Sequence, residues 1–315
     1  MGTTEQLSEA ERAVRAGAGL VDRSARGKLA LSGGETKRFL QGQITNDVVA
    51  LEPGQGLYAA FLTAKGKMLG DLRVLDSGDE LLLDTERVAL QELFNMVRRY
   101  SLGFDVELHR RTLERGLLSL VGPRARALLG DAAAGLGEQE HAHVATTVDG
   151  IPVRLIATDV GVDLLLDSAR TEALAQALVA RGALPVSDEV VETMRIERGR
   201  PRYGVELDDS TIPQEAGLNE RAVSFTKGCY VGQETVARLF YKGKPNRHLR
   251  GLRLAVPVEP GSELTLDGKR VGTVGSVAVS PVHGPIALAL VRREAEPGST
   301  VTVGETTAEV AELPF

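Results

Sequence analysis

Tryptophan is absent from this 315-residue chain, aromatics make up only 4% of it, and there is one cysteine. Each shortage excludes something. Without tryptophan and with few rings, the cores must be built from Leu, Val and Ala. A lone cysteine rules out an internal disulfide, and one thiol cannot by itself hold a zinc ion or an iron–sulfur cluster. Metal chemistry would need a second chain, a small-molecule thiol or a partner protein. No run approaches the roughly 20 apolar residues that span a bilayer. Met1–Arg15 carries acids and no apolar segment, so a secretory signal is not expected there and a cytoplasmic location is. Basic excess is lacking too. The net charge of −6 argues against general DNA or RNA binding, which needs a basic footprint to displace counterions.

What is present describes an ordinary globular protein, with 43% hydrophobic and 25% charged residues and length enough for two or three cores. Residues 7–17 read as an amphipathic helix, Lys28–Ser32 as a strand, and Glu35–Gln43 as a helix. Leu57–Thr63 alternates like a strand, and Lys67–Glu86 reads as a hairpin turning at Asp76-Ser77-Gly78-Asp79. Val88, Leu90, Leu93, Met96 and Val97 give Arg87–Tyr100 a helical period. A second round follows: strands at 104–111 and 115–121, a short helix near 124–134, a strand pair over 142–167, and a helix over 169–182. Such blocks favour an α+β fold of antiparallel sheets over a doubly wound parallel one. Beyond 248, short alternating runs (248–256, 262–266, 270–279, 285–292, 299–303, 306–313) broken by Gly and Pro predict a small all-β barrel. The expected domains are therefore 1–247 and 248–315.

Between them, 195–247 has little periodicity and many turn formers, as functional segments often do. It contains Lys227-Gly228-Cys229-Tyr230-Val231-Gly232-Gln233-Glu234. A helix starting near Gly232 would bring its positive end towards Cys229, and Lys227 would add a charge; both favour thiolate. The competing reading is a small buried hydrophobe, the commonest fate of a free cysteine.

This Lys-Gly-Cys-Tyr-x-Gly-Gln-Glu stretch resembles the signature of the YgfZ branch of the glycine-cleavage T-protein superfamily. The resemblance extends over nearly the whole chain, through Phe39–Val48, Gly66–Leu72, Arg195–Pro201, Pro213-Gln214-Glu215 and Val271–Pro281. It implies a T-protein-like folate-binding fold with a C-terminal barrel. It also implies tetrahydrofolate or a derivative as cofactor, and a part in iron–sulfur cluster assembly or repair beside partner and client proteins. Cys229 would be the working thiol, tuned by Lys227, in an accessory protein more than a catalyst. The alternative is a tetrahydrofolate-dependent aminomethyltransferase.

The resemblance makes Glu197 the pterin anchor, since a carboxylate matches the amine and ring N–H of a pterin. On a helix over 188–198, capped by Ser187 and Asp188, Glu197 shares a face with Val190 and Met194. Its other reading is a salt bridge to Arg195, Arg198 or Arg200. Asp71 is the second folate carboxylate, or else a solvated strand residue. Aminomethyltransferases carry adjacent acids there, whereas this chain has Gly70-Asp71. Tyr203 completes the implied folate contacts. Tryptophans that contact folate in some relatives align near Arg26 and Val191, so ring stacking is lost at those two positions. The basic, aromatic stretch 238–250 fits a linker, a polyglutamate tail, RNA or an acidic surface. His141 and His143 form a His-x-His pair with too few neighbours for a metal site.

Overall fold

The computed structural model describes residues 4–315; the first three residues of Met1–Arg15 lie outside it. The chain opens with helix α1 (Thr4–Ala16) and strand β1 (Gly19–Asp22), and then builds its first sheet. That sheet uses β2 (Gly27–Ser32), β3 (Gly56–Leu62), β4 (Met68–Asp76), β5 (Leu81–Thr85) and β6 (Glu107–Arg110), in the order β3-β4-β5-β2-β6. Helices α2 (Thr36–Gln41) and α3 (Leu90–Tyr100) cover it. Leu93, Met96 and Val97 of α3 are buried with Phe39, Leu40, Phe61 and Leu83 in one core. This is the face that the helical period of Arg87–Tyr100 requires.

The second sheet takes β7 (Arg115–Val121), β8 (His143–Val148), β9 (Ile151–Thr158), β10 (Gly161–Asp167) and the two-residue β11 (Leu184–Pro185). It reclaims β1, giving the order β11-β1-β7-β10-β9-β8. Helices α4 (Ala125–Leu129) and α5 (Thr171–Ala180) pack on it through Leu129, Leu174 and Leu178. Here the expected strand pair over 142–167 is three strands. The tight turn at Asp159-Val160 adds a β-ladder between β9 and β10, and a two-residue connection leaves no gap in the apolar pattern to betray it. All pairings are antiparallel except β1 with β11.

Helix α6 (Asp188–Glu197) follows, with Ser187 at its N-cap position but making no side-chain cap bond. The segment expected to be irregular then contains α7 (Asn219–Ala222) and α8 (Gln233–Lys242). It folds back onto the first sheet: Leu207, Leu218, Val223, Tyr230 and Val236 bury against Ala60, Leu62 and Met68. Strands β12 (Arg247–Leu254), β13 (Glu263–Leu266), β14 (Lys269–Ser280), β15 (Gly284–Arg292), β16 (Thr300–Val303) and β17 (Thr306–Ala311) close a barrel in the order β12-β15-β14-β13-β16-β17. Closure leaves no free sheet edge. Among the described residues, no helix is long and apolar enough to cross a membrane.

Candidate functional site

Where the two sheets meet, β4, β5, β7, β10, α6 and the arginine-rich turn after it enclose a cavity of about 210 Å³. Tyr58, Asp71, Asp84, His141, Thr158 and Val191 line its wall, and arginines 23, 26, 73, 198, 200 and 221 surround them. Register explains the grouping. Ala60 pairs with Asp71 and Tyr58 with Arg73 across β3 and β4, so Tyr58 reaches Asp71 along the diagonal. The Tyr58 hydroxyl donates to Asp71 Oδ2 at 2.5 Å. Asp71 is 6% exposed. Burial pushes its carboxyl up to about 6, against the Tyr58 hydrogen bond; Glu86 adds to the rise and Arg26 opposes it.

A ladder of ion pairs ties the sheets together beneath this group. Arg26 Nε donates to Asp84 at 2.8 Å, and Arg26 also pairs with Glu86. Arg73 reaches Asp84 and Asp163, each at 2.7 Å, and Ser119 Oγ donates to Asp163 at 2.6 Å. Buried charges persist only when paired in this way. Their mutual pairing holds the Asp84 carboxyl below its usual range through Arg26 and Arg73, despite burial.

The structure brings together Asp71, Arg26 and Val191 of the expected site residues, and separates the others. Glu197 does not line the cavity. Its carboxylate accepts from Arg15 at 2.5 and 2.6 Å and from Ser280 Oγ at 2.6 Å. The expected partners Arg195, Arg198 and Arg200 lie on its helix or just beyond and point elsewhere. Arg195 pairs with Glu192 and Glu206, and Arg200 with Asp159. The physical reason is helical phase: Val191, Arg195 and Arg198 share the cavity face, and Glu197 lies off it. It joins α1 and the barrel to α6. Tyr203 packs between the cores of the first sheet and the returning segment, outside the cavity lining.

Cys229 is exposed, not the buried small hydrophobe, and it does not line the cavity. Helix α8 starts where expected, at Gly232, whose φ of 84° is left-handed. A Cβ there would stand 2.6 Å from Thr63 O, so only glycine allows this close approach. Lys227 differs from its expected role. Its ammonium turns away from solvent and donates to the carbonyls of Gln41 (2.6 Å), Ile44 (2.7 Å) and Asn46 (3.0 Å). Burial lowers it to about 8. It braces the loop against α2, with its own charge directed at backbone carbonyls. Further along, Phe225 stacks on Phe240 with centroids 3.7 Å apart, and Tyr241 meets both edge-on. The basic stretch therefore begins on a helix carrying an aromatic cluster, and is no plain linker.

Gly70 has its own steric reason. A Cβ would lie 2.5 Å from the Phe61 ring and 2.7 Å from Ala89. A second acid beside Asp71 has no room. Sequence reading missed Tyr58, Arg73, Asp84 and Asp163; the register of β3, β4 and β5 places the first three on one face, while Asp163 meets them from β10 of the second sheet, a pairing with no local signal.

The comparisons agree with this architecture. Residues 3–227 match the family model described as the GCVT N-terminal domain, and 247–315 the glycine cleavage T-protein C-terminal barrel domain. An aminomethyltransferase of Rubrobacter xylanophilus is 33% identical over 96% of this chain and 84% of its own length. A chloroplastic protein of Arabidopsis thaliana with only the general name of transferase is 31% identical over 100% of this chain and 76% of its own. The crystal structure of the glycine cleavage system aminomethyltransferase T from Bartonella henselae superposes with a TM-score of 0.88 at 26% identity, covering 98% of this chain and 89% of that one. Matched through both its sheet region and its barrel, the chain belongs to the glycine-cleavage T-protein (GcvT) family.

Proposed function

We propose that this protein binds tetrahydrofolate in the Asp71 cavity and serves iron–sulfur cluster assembly or repair through Cys229, as a member of the YgfZ branch. Tetrahydrofolate is the cofactor of the family's aminomethyltransferases. The observation that carries the folate reading is the unfinished polar wall of the cavity. His141 and Thr158 both line it, and their Nδ1 and Oγ1 atoms are buried and lack any hydrogen-bond partner. Most buried polar atoms in proteins are bonded, so two unpartnered ones on residues of one cavity wall fit a polar ligand. Arginines 23, 198 and 221 at the rim suit the glutamate carboxylates of a folate, and Tyr58, Asp71 and Val191 would hold the ring system. When bound, the cofactor would supply a nitrogen able to carry a one-carbon unit. Asp71, its carboxyl pushed up to about 6 by burial, would hold or release a proton beside it.

The thiol half is supported by an accessible Cys229 within the Lys-Gly-Cys-Tyr-x-Gly-Gln-Glu stretch. Its position on a surface apart from the cavity suits a partner protein better than a cavity ligand. The division into a folate-binding region, 1–247, and a barrel domain, 248–315, accompanies this reading. Calorimetric titration of tetrahydrofolate into the wild type and Asp71→Ala tests it. Micromolar binding that the variant loses is expected; no heat from the wild type would refute the folate half.

A second reading, aminomethyl transfer, is favoured by a relative that carries that name at 33% identity. Gly70 in place of a second acid speaks against it. Turnover with an aminomethyl donor and tetrahydrofolate would establish it.

A further inference from the structure

His141 adopts a left-handed backbone conformation. Its φ is 71°, a region where a non-glycine residue costs about 1–3 kcal/mol. The backbone clamps it there from both sheets. His141 N–H donates to Ala157 O at 2.8 Å, and its own carbonyl lies against Gly56, where a Cβ would stand 2.8 Å away. The result is a ring in the cavity wall with Nδ1 buried and unbonded. The other ring nitrogen, Nε2, lies 3.7 Å from Glu140 Oε1. That carboxylate favours the tautomer protonated at Nε2, which leaves Nδ1 with a free lone pair. Burial, then Arg73 and Arg221, push the imidazole down to about 3, so it stays neutral and its lone pair stays available.

We infer that His141 Nδ1 is the acceptor that reads an N–H donor of the heterocycle bound in this cavity, with Thr158 Oγ1 bonding beside it. His141 is thus a specificity-determining residue, and takes the acceptor role that the sequence had suggested for Glu197. The inference rests on the folate reading, because a pterin edge carries such N–H donors. Strain at a site of this kind is understandable if the residue must aim its ring at a ligand.

The experiment is calorimetry with tetrahydrofolate on the wild type, His141→Phe, His141→Gly and His141→Asn, together with the melting temperature of each and ¹⁵N spectra of the imidazoles. Phe and Gly are expected to weaken binding at least tenfold, the cost of leaving a buried donor unpaired. Glycine accepts a positive φ without strain, which offsets part of the packing lost with the ring, so His141→Gly should still unfold cooperatively within about 5 °C of the wild type, which separates lost recognition from lost folding. Asparagine tolerates the same backbone and keeps an acceptor, and should retain binding within about threefold. The Nδ1 resonance should be that of an unprotonated nitrogen in the free protein and shift when ligand is added. Equal binding by wild type and His141→Gly, or an Nδ1 resonance unmoved by ligand, overturns the inference and leaves the folate reading standing. Absence of binding by the wild type overturns both.

Discussion

The cavity at Asp71 and the loop at Cys229 handle charge in opposite ways. In the cavity, ionisable groups are buried, held on strands of two sheets, and balanced against one another. Around Cys229, the thiol faces solvent while the neighbouring cation, Lys227, is drawn inward to backbone carbonyls. The difference teaches that nearness in sequence is a poor guide to electrostatic coupling outside regular elements. Arg73 and Asp163 are 90 residues apart and bonded at 2.7 Å. Lys227 and Cys229 are two apart, and the ammonium is committed elsewhere.

The strongest way to break this contrast is to remove the centre of the ion-pair ladder. Arg73→Met leaves Asp163 with only Ser119 as an uncharged partner and strips Asp84 of one of its two arginines. A loss of roughly 3–5 kcal/mol in urea unfolding is expected, as for other broken buried pairs. A loss under about 1 kcal/mol would mean that water screens the ladder as it does surface pairs.

Asp71 comes next, and its effect depends on pH. Its carboxyl titrates at about 6 in the folded protein against 3.8 for the free group. Between those values the folded chain binds the proton and the unfolded chain does not. Stability therefore falls as pH rises from about 4 to about 6, by something on the order of 3 kcal/mol. Asp71→Asn should abolish that slope, matching the wild type near pH 4 and exceeding it at pH 7, since the amide oxygen can still accept from Tyr58. Equal stability of the two proteins at both pH values would show a solvated carboxylate.

Lys227→Met is expected to cost about 2–3 kcal/mol, because carbonyls of Gln41, Ile44 and Asn46 lose a charged donor. The same variant should leave the reactivity of Cys229 towards iodoacetamide within about twofold. A larger fall in alkylation rate would restore Lys227 to the tuning role and erase the contrast between the regions.

Much of the fold was legible because its elements carry local patterns. The six alternating runs after 248 correspond to the six barrel strands, and Arg87–Tyr100 to α3 with the 3-10 turn before it. What escaped lacked periodicity or depended on distant pairing. Gly19–Asp22 is too short to alternate, yet it leaves the first sheet's side of the chain to pair with β7. Helix α8 follows a left-handed glycine that the motif announced, whereas α7, of four residues, had no pattern to announce it. Of the cavity lining, Asp71 was singled out through its motif and Arg26 and Val191 through alignment with the lost tryptophans. Glu197 misled because a buried acid on a helix face signals a partner without saying which. His141 was noticed for a metal-binding pattern, while its significance comes from a backbone angle and an unbonded nitrogen, neither visible in letters.

The smallest structural effect is reserved for the residue with the largest proposed biological one. An exposed side chain that meets no cavity wall contributes little to folding, so Cys229→Ala should change stability by less than about 0.5 kcal/mol. Its tetrahydrofolate affinity should equal that of the wild type. In cells that lack the native protein, however, iron–sulfur enzyme activity should remain low when the variant is supplied and recover when the wild type is. These outcomes together would place the two functions on separate surfaces of one molecule. Altered folate affinity in Cys229→Ala would instead couple the loop to the cavity, and the route would have to run through Lys227 and the carbonyls of residues 41–46, the structural link between α2 and the thiol's own loop.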